Sequence, residues 1–520
     1  MVASPHALAS AAGADVLRAG GTAVDGAIAT AAALGVLYPH MCGIGGDAFW
    51  LIYDAGANRV AYLDGGGRAA ASATLERFRG QSEIPFRGIV PATLTTPGAV
   101  ASFCGAHARH GKLPLARCLA DAVGYARDGY PVTARLARWI EETASELARD
   151  NASAALFLPG GRPAVAGARL RNAALARTLD AIGAQGAAGF YDGEVARELG
   201  RFSAERGGFF RADDLARQKA YWGEPIRGTY RGVTLYETPA PTQGFTVLEM
   251  LNLIEPLELG PYLGADHVHL LVQAKQLAYH DRDRWLADPR FAEMPEDGLI
   301  SKSYAAGRRK LIDPRRALAW DEVPASELKG DTVYVAAVDA AGNAASLIFS
   351  LYGIFGACIT DPATGVVLQN RAAYFSLDSR HPNRLEPGKA PLHTLIASLA
   401  FRDERLWAAL GCMGADGQPQ IHLQAYVAMI DYGLDIQAAL AAPRWLSGRF
   451  ALGEPRDTLH IEARFPAETL AELERRGHRL DRWDAWNELA GHAHGITVDR
   501  ESGMRAGGYD PRSDGAAIGY

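Results

Sequence analysis

The chain has 520 residues, 48% hydrophobic and 22% charged, with a formal net charge of −6. That length exceeds one ordinary core, so one large or two intimately joined domains are expected. The charge offers nothing to nucleic acid or to an anionic membrane, no stretch has the apolar length of a membrane span, and Met1–His6 lacks the form of a signal peptide. The expected address is cytoplasmic. The five cysteines are odd in number, scattered and without a CxxC pair, which points to neither a zinc site nor a disulfide framework.

In chain order, residues 7–19 are Ala/Leu-rich and stop at Gly20-Gly21, and residues 24–37 are apolar at helical spacing. Two short strands, 49–53 and 59–63, flank the turn Asp54-Ala55-Gly56-Ala57-Asn58. Helical patterns return over 99–147 and again over 266–286. The character changes near 326–331, after which hairpins succeed one another: 334–338 with 344–351, 357–360 with 366–368, and 395–401 with 406–410. Helices over 421–431 and 466–476 follow, and a strand is expected at 493–498. This order predicts an α+β layered sandwich.

The most informative stretch is Gly330-Asp331-Thr332-Val333-Tyr334. If the Asp331–Thr332 bond is broken, Thr332 becomes an N-terminus whose hydroxyl is a nucleophile and whose α-amine is its base. Read alone, Gly-Asp-Thr before a strand is usually just a turn and a cap. Gly43-Ile44-Gly45-Gly46 follows a helix and precedes a strand, the reverse of a dinucleotide fingerprint, so it reads as a close approach of backbones. His267 and His269 beside Asp266 have the spacing of a helix start, not of a closed metal set, and no metal or cofactor is called for.

Several motifs resemble the γ-glutamyltranspeptidase family of N-terminal-nucleophile hydrolases. They are Met1-Val2-Ala3-Ser4-Pro5-His6, Gly43-Ile44-Gly45-Gly46-Asp47-Ala48-Phe49, Phe190-Tyr191-Asp192-Gly193-Glu194, Trp222–Gly232, Leu385-Glu386-Pro387-Gly388-Lys389 and Asp510-Pro511-Arg512-Ser513-Asp514-Gly515. They run from end to end of the chain in family order. The resemblance implies a four-layer αββα sandwich built from a large chain, 1–331, and a small chain, 332–520, cut at Asp331–Thr332. It also implies that Thr332 is the nucleophile, that Ser350 supports it, and that the backbone N–H groups of Gly414 and Ala415 receive the oxyanion. Relatives usually carry glycine at the second of those two positions.

The chain departs from the family where the substrate's amino group is held. Arg371 and Tyr374, after Asn370, stand in place of acids, His393-Thr394 replaces a serine pair, and Arg68 follows three glycines that would open space beside it. A pocket lined by Arg68, Asn370, Arg371, Tyr374, His393 and Thr394 repels an ammonium and attracts a carboxylate. This pattern is similar to the branch of oxamate amidohydrolase and γ-glutamyltransferase-like acylases. The short 376–389 segment implies a less covered site. The leading expectation is therefore a self-processing amidohydrolase acting on a small amide beside a carboxylate, with oxamate as best guess. Glutathione-like γ-glutamyl transfer or hydrolysis, a glutaryl-type dicarboxylic acylase, and a non-catalytic organic-acid scaffold are the alternatives. A dimer of processed units is possible in the same scheme.

Overall fold

Asp331–Val338 and Ala344–Tyr352 are apolar or hydroxyl-bearing on both faces, so each strand has to be covered on two sides. The structure, a computed structural model, describes residues 1–318, 331–448 and 457–520. It meets that demand with two face-to-face antiparallel sheets between two helical layers, the αββα sandwich.

The first sheet runs Ala516–Ile518, Val2–Ser4, Asp331–Val338, Ala344–Tyr352, Asp47–Asp54, Arg59–Gly65, Tyr221–Gly223. The second runs Arg505–Tyr509, Ala493–Val498, Arg405–Cys412, Ser398–Arg402, Val233–Glu237, Ile226–Tyr230. Residues from before and after position 331 interleave in both sheets, so neither part of the chain closes a sheet by itself.

Three apolar clusters fill the three spaces between layers. Tyr334, Ile348, Phe49, Leu399 and Ile496 meet between the sheets. Val335, Leu347 and Trp50, on the opposite face, pack under the helices Ala23–Leu37 and Leu115–Asp128. Leu235, Ala408 and Leu410 pack under Phe245–Ile254, Ala265–Trp285 and Gln418–Ile430. Each fully buried side chain of this size contributes about 1.5–3 kcal/mol. Every residue of Ala23–Leu37 is buried, and the helix is started by a reciprocal cap in which Thr22 and Asp25 bond each other's backbone N–H at 2.9 and 3.2 Å.

The expected elements are found with shifted ends. The span 99–147 divides into Ala99–His110, Leu115–Asp128, Ala134–Glu142 and Ala144–Leu147, because Gly129 at φ 100° turns the chain into the short strand Tyr130–Pro131. The hairpin Ile226–Tyr230 with Val233–Glu237 was not expected; its alternate side chains are partly exposed, which hides it among ordinary surface residues. The expected change of character at 326–330 lies outside the described residues, and the strand itself begins at Asp331. Among the described residues no helix is long and apolar enough to cross a membrane.

Candidate active site

Antiparallel register sets three side chains in a row. Ser350 is the Cα partner of Asp47, and Thr332 on the next strand contacts Ser350. Alternation along each strand puts Thr332, Ser350 and Asp47 on the same face as Tyr334, Ile348 and Phe49, at one end of the space between the sheets. Their neighbourhood depends on the glycine loop before Asp47. A Cβ on Gly45 would lie 2.1 Å from the Val367 carbonyl oxygen, and one on Gly46 would lie 2.0 Å from that of Ser350. The expectation of close backbone approach holds there.

Thr332 Oγ1 donates to Ser350 Oγ at 3.2 Å and accepts from Gln418 Nε2 at 3.4 Å. Ser350 Oγ also accepts from the Tyr352 backbone N–H at 2.7 Å and from Arg371 Nη2 at 3.3 Å. Arg371 Nη1 donates to Thr394 Oγ1 at 3.0 Å. Its guanidinium carbon lies 4.6 Å from the Tyr352 ring centre and 5.7 Å from that of Tyr374. Arg371 is 0% exposed, and among the described residues it forms no ion pair. Burial pulls its pKa below the usual arginine value. A buried cation with no carboxylate in direct contact is costly by several kcal/mol, so a ligand anion beside it is favoured.

The Gly414–Gly417 turn approaches from the second sheet. Gly414 has φ 138° and Ala415 φ 46°, and neither N–H donates to another backbone group among the described residues. Ala415 therefore holds the left-handed conformation that glycine adopts freely, at a cost of about 1–2 kcal/mol. The turn is braced from behind. Asp416 accepts from Tyr374 Oη at 2.8 Å and from Arg282 Nη1 at 2.5 Å, and Gln243 Nε2 ties the Thr394 and Ala415 carbonyls at 2.8 and 3.0 Å.

Of the expected residues, Thr332, Ser350, Arg371, Tyr374 and Thr394 form one contiguous cluster through these contacts. Asn370 is placed differently. Its Oδ1 accepts from the Gly353 N–H and its Nδ2 donates to the Phe86 carbonyl, both at 2.8 Å, so it pins two loops beside the cluster. Arg68 is drawn away by charge: it hydrogen-bonds Asp64, lies 3.6 Å from Asp288 and sits over the Tyr221 ring. There is space beside Arg68, lined by Ala69, Thr96, Gln218, Tyr221 and Gly388, but the three glycines do not make it. Cβ atoms on Gly65, Gly66 and Gly67 would lie 2.4 Å from Ser102 Cβ, 3.0 Å from Phe49 Cζ and 1.9 Å from the Thr96 carbonyl oxygen, so the glycines permit tight packing. The site is also not open, as the short 376–389 segment implied: Thr332 is 1% and Arg371 0% exposed.

His393 is buried edge-on to Phe49 at 4.7 Å, and its ring nitrogens have no hydrogen-bond partner among the described residues. Burial, then the Arg371 and Arg68 charges, keep its pKa well below the usual histidine value. Gln418, Asp416, Arg282 and Gln243 were not singled out from sequence, and Asp47 figured only as the acid of the Gly45-Gly46-Asp47 motif, with no role at the site. Gln418 and Asp416 follow the glycine turn directly, and that adjacency was the available signal; Arg282 and Gln243 carry none.

A face-to-face pair of antiparallel sheets between helices, with a hydroxyl residue heading an inner strand beside a glycine turn, defines an N-terminal-nucleophile hydrolase type of site. The family model for gamma-glutamyltranspeptidase matches residues 9–520. The chain is 39% identical over its whole length to the glutathione hydrolase-like YwrD proenzyme of Bacillus subtilis, of which it covers 98%. It is 37% identical, again over its whole length, to the oxamate amidohydrolase proenzyme of Klebsiella pneumoniae, of which it also covers 98%. The cephalosporin acylase structure from Bacillus halodurans superposes with a TM-score of 0.91 at 35% identity, covering 100% of this chain and 96% of that one. The chain belongs to the γ-glutamyltranspeptidase family and is an amide-bond hydrolase of that family.

Proposed function

We propose that Thr332 is the nucleophile of a self-processing amidohydrolase whose substrate is a small amide joined to a carboxylate, with oxamate the simplest compound that fits. One observation carries this reading: a chain of contacts leads from the Thr332 hydroxyl through Ser350 to Arg371, a buried guanidinium with no ion pair among the described residues. An anion lodged there sets its neighbouring amide carbonyl beside Thr332.

Processing comes first. Thr332 Oγ1 attacks the Asp331 carbonyl, an ester forms as the C–N bond breaks, and the Oγ1 proton passes to the freed nitrogen. Water then hydrolyses the ester, leaving chains 1–331 and 332–520. In turnover the Thr332 α-amine takes the Oγ1 proton while Oγ1 attacks the amide carbonyl. The oxyanion is received by the Gly414 and Ala415 N–H groups, each such donor being worth about 3 kcal/mol of barrier. The leaving nitrogen takes the proton and departs as ammonia, and water releases the acid. For oxamate the products are oxalate and ammonia. Ser350, held by three donors, fixes the direction of the Thr332 hydroxyl.

The five cysteines are unpaired and suit a reducing compartment such as the cytoplasm. The test is ammonia release from oxamate by purified protein; none above a Thr332→Ala control rejects that substrate. The γ-glutamyl reading is favoured by the likeness to YwrD, whose name describes it as glutathione hydrolase-like. Turnover of a γ-glutamyl anilide that weakens when the α-amino group is removed decides for it.

A further inference from the structure

Asp47 has no role in the chemistry above, yet it is the third member of the Thr332–Ser350–Asp47 row and is 0% exposed. Its Oδ1 is held by the Gly67 N–H at 2.7 Å and Gln369 Nε2 at 3.2 Å. Among the described residues its Oδ2 has no hydrogen-bond partner, and it faces His393 Nε2 at 4.0 Å. Arg371 Nε and Gln369 Oε1, which belong to the residues around it, are likewise without a partner. Buried polar atoms are seldom left bare, and so many in one place mark a ligand's surroundings.

We propose that Asp47 is a specificity-determining residue that competes with the substrate carboxylate for Arg371, so that a carboxylate enters only as Asp47 gives up its negative charge by taking a proton. The inference rests on Arg371 as the carboxylate receptor and adds what sets its selectivity. Asp47 stands opposite Ser350 in the strand register, and Ser350 Oγ accepts from Arg371 Nη2 at 3.3 Å, so with both groups fully buried the Asp47 charge acts on Arg371. A bound carboxylate brings a second negative charge beside it. Two like charges in a buried place cannot both persist cheaply, so one is neutralised by a proton.

The groups facing Asp47 come from every neighbouring element. They are Arg371 on the 371–374 turn, Arg68 after the three glycines, the neutral His393, the Tyr191 phenol and, in the cut chain, the Thr332 α-amine at the other end of the row, whose proton uptake Asp47→Asn would retain. Asp64 is held by Arg68. Burial raises the Asp47 carboxyl to about 7, against the pull of Arg371 and the two hydrogen bonds. The proton is therefore available near neutrality. A bound anion raises that carboxyl further, so carboxylate affinity is greatest below pH 7 and falls as pH rises above it. The fall is about tenfold per pH unit until the carboxyl of the complex also ionises.

Calorimetric binding of oxalate, whose own charge is constant from pH 6 to 9, tests this in two buffers of different ionisation enthalpy. Expected is uptake of close to one proton at pH 7.5–8 and an affinity that declines across that range. Asp47→Asn is expected to bind oxalate about tenfold or more tightly at pH 8, with a flat pH profile and no proton uptake. Wild-type binding without proton uptake overturns the inference even if the variant does not fold, as does a variant that keeps the pH slope. Loss in Asp47→Asn of turnover only for amino-bearing substrates also overturns it, since Asp47 then holds an ammonium. Failure of oxalate to bind at any pH instead rejects Arg371 as a carboxylate receptor, and this inference falls with it.

Discussion

Arg68 and Arg371 are both buried guanidinium groups of the expected anion pocket, and their surroundings are opposite. Arg68 has two carboxylates, Asp64 and Asp288, and an aromatic face. Arg371 has two hydroxyls and two aromatic faces, and among the described residues no ion pair. A buried arginine that already has its counter-ions holds the fold together, whereas one without them is poised for a ligand's charge. The identity of the residue does not distinguish the two cases; the compensation does.

The sharpest way to break the comparison is to remove the hydroxyl that gives Arg371 its meaning. Thr332→Ala is expected to leave one uncut chain on a denaturing gel and to lower turnover by about a thousandfold or more. Two chains from that variant would place the nucleophile elsewhere. Next comes the arginine pair itself. Arg371→Met is expected to raise KM for a carboxylate substrate about a hundredfold while leaving the melting temperature unchanged or higher, because an unpaired buried charge is gone.

Arg68→Met is expected to do the reverse. KM changes little, and stability falls by about 3 kcal/mol because Asp64 is left buried without its partner. Equal loss of stability in both variants, read by chemical denaturation, would erase the distinction.

At neutral pH the buried histidines add little, but their effect grows with acidity and by pH 5 exceeds that of Arg68→Met. His40 and His492 are held well below the ordinary histidine value by burial, and burial lowers His494 to about 3. A histidine with a depressed native pKa favours folding while neutral. That stability is complete above the unfolded value of about 6.5 and declines as pH falls below it, by about 1.4 kcal/mol per pH unit per proton. The melting temperature is therefore expected to drop steadily from pH 7 to pH 5, and a flat profile would show that these rings are not buried neutral. The smallest effect is that of Ala415→Gly, which relieves the left-handed strain. The offsetting entropy of glycine leaves a gain under about 1 kcal/mol.

Much of this was legible in sequence because it is local. The turn Asp339-Ala340-Ala341-Gly342-Asn343 between the apolar runs 334–338 and 344–351, and apolar spacing over 24–37, dictate their elements without help from elsewhere. The Ile226–Tyr230 and Val233–Glu237 hairpin is local, but its partly exposed side chains leave no apolar run to mark it, and only its pairing with the distant Ser398–Arg402 places it in the sheet. The same holds for Asn370, whose amide bonds Gly353 and Phe86, and for Asp416, whose bond to Arg282 spans 134 positions.

What the sequence determined by itself was the order of elements, the family pattern from end to end, and the chemical types gathered around Thr332. Only the tertiary structure decided which charges are already balanced: Arg68 is, Arg371 is not, and Asp47 stands close enough to matter. Charge balance depends on distance through a poorly screening interior, and distances between residues far apart in the chain are set by packing, which no local pattern encodes.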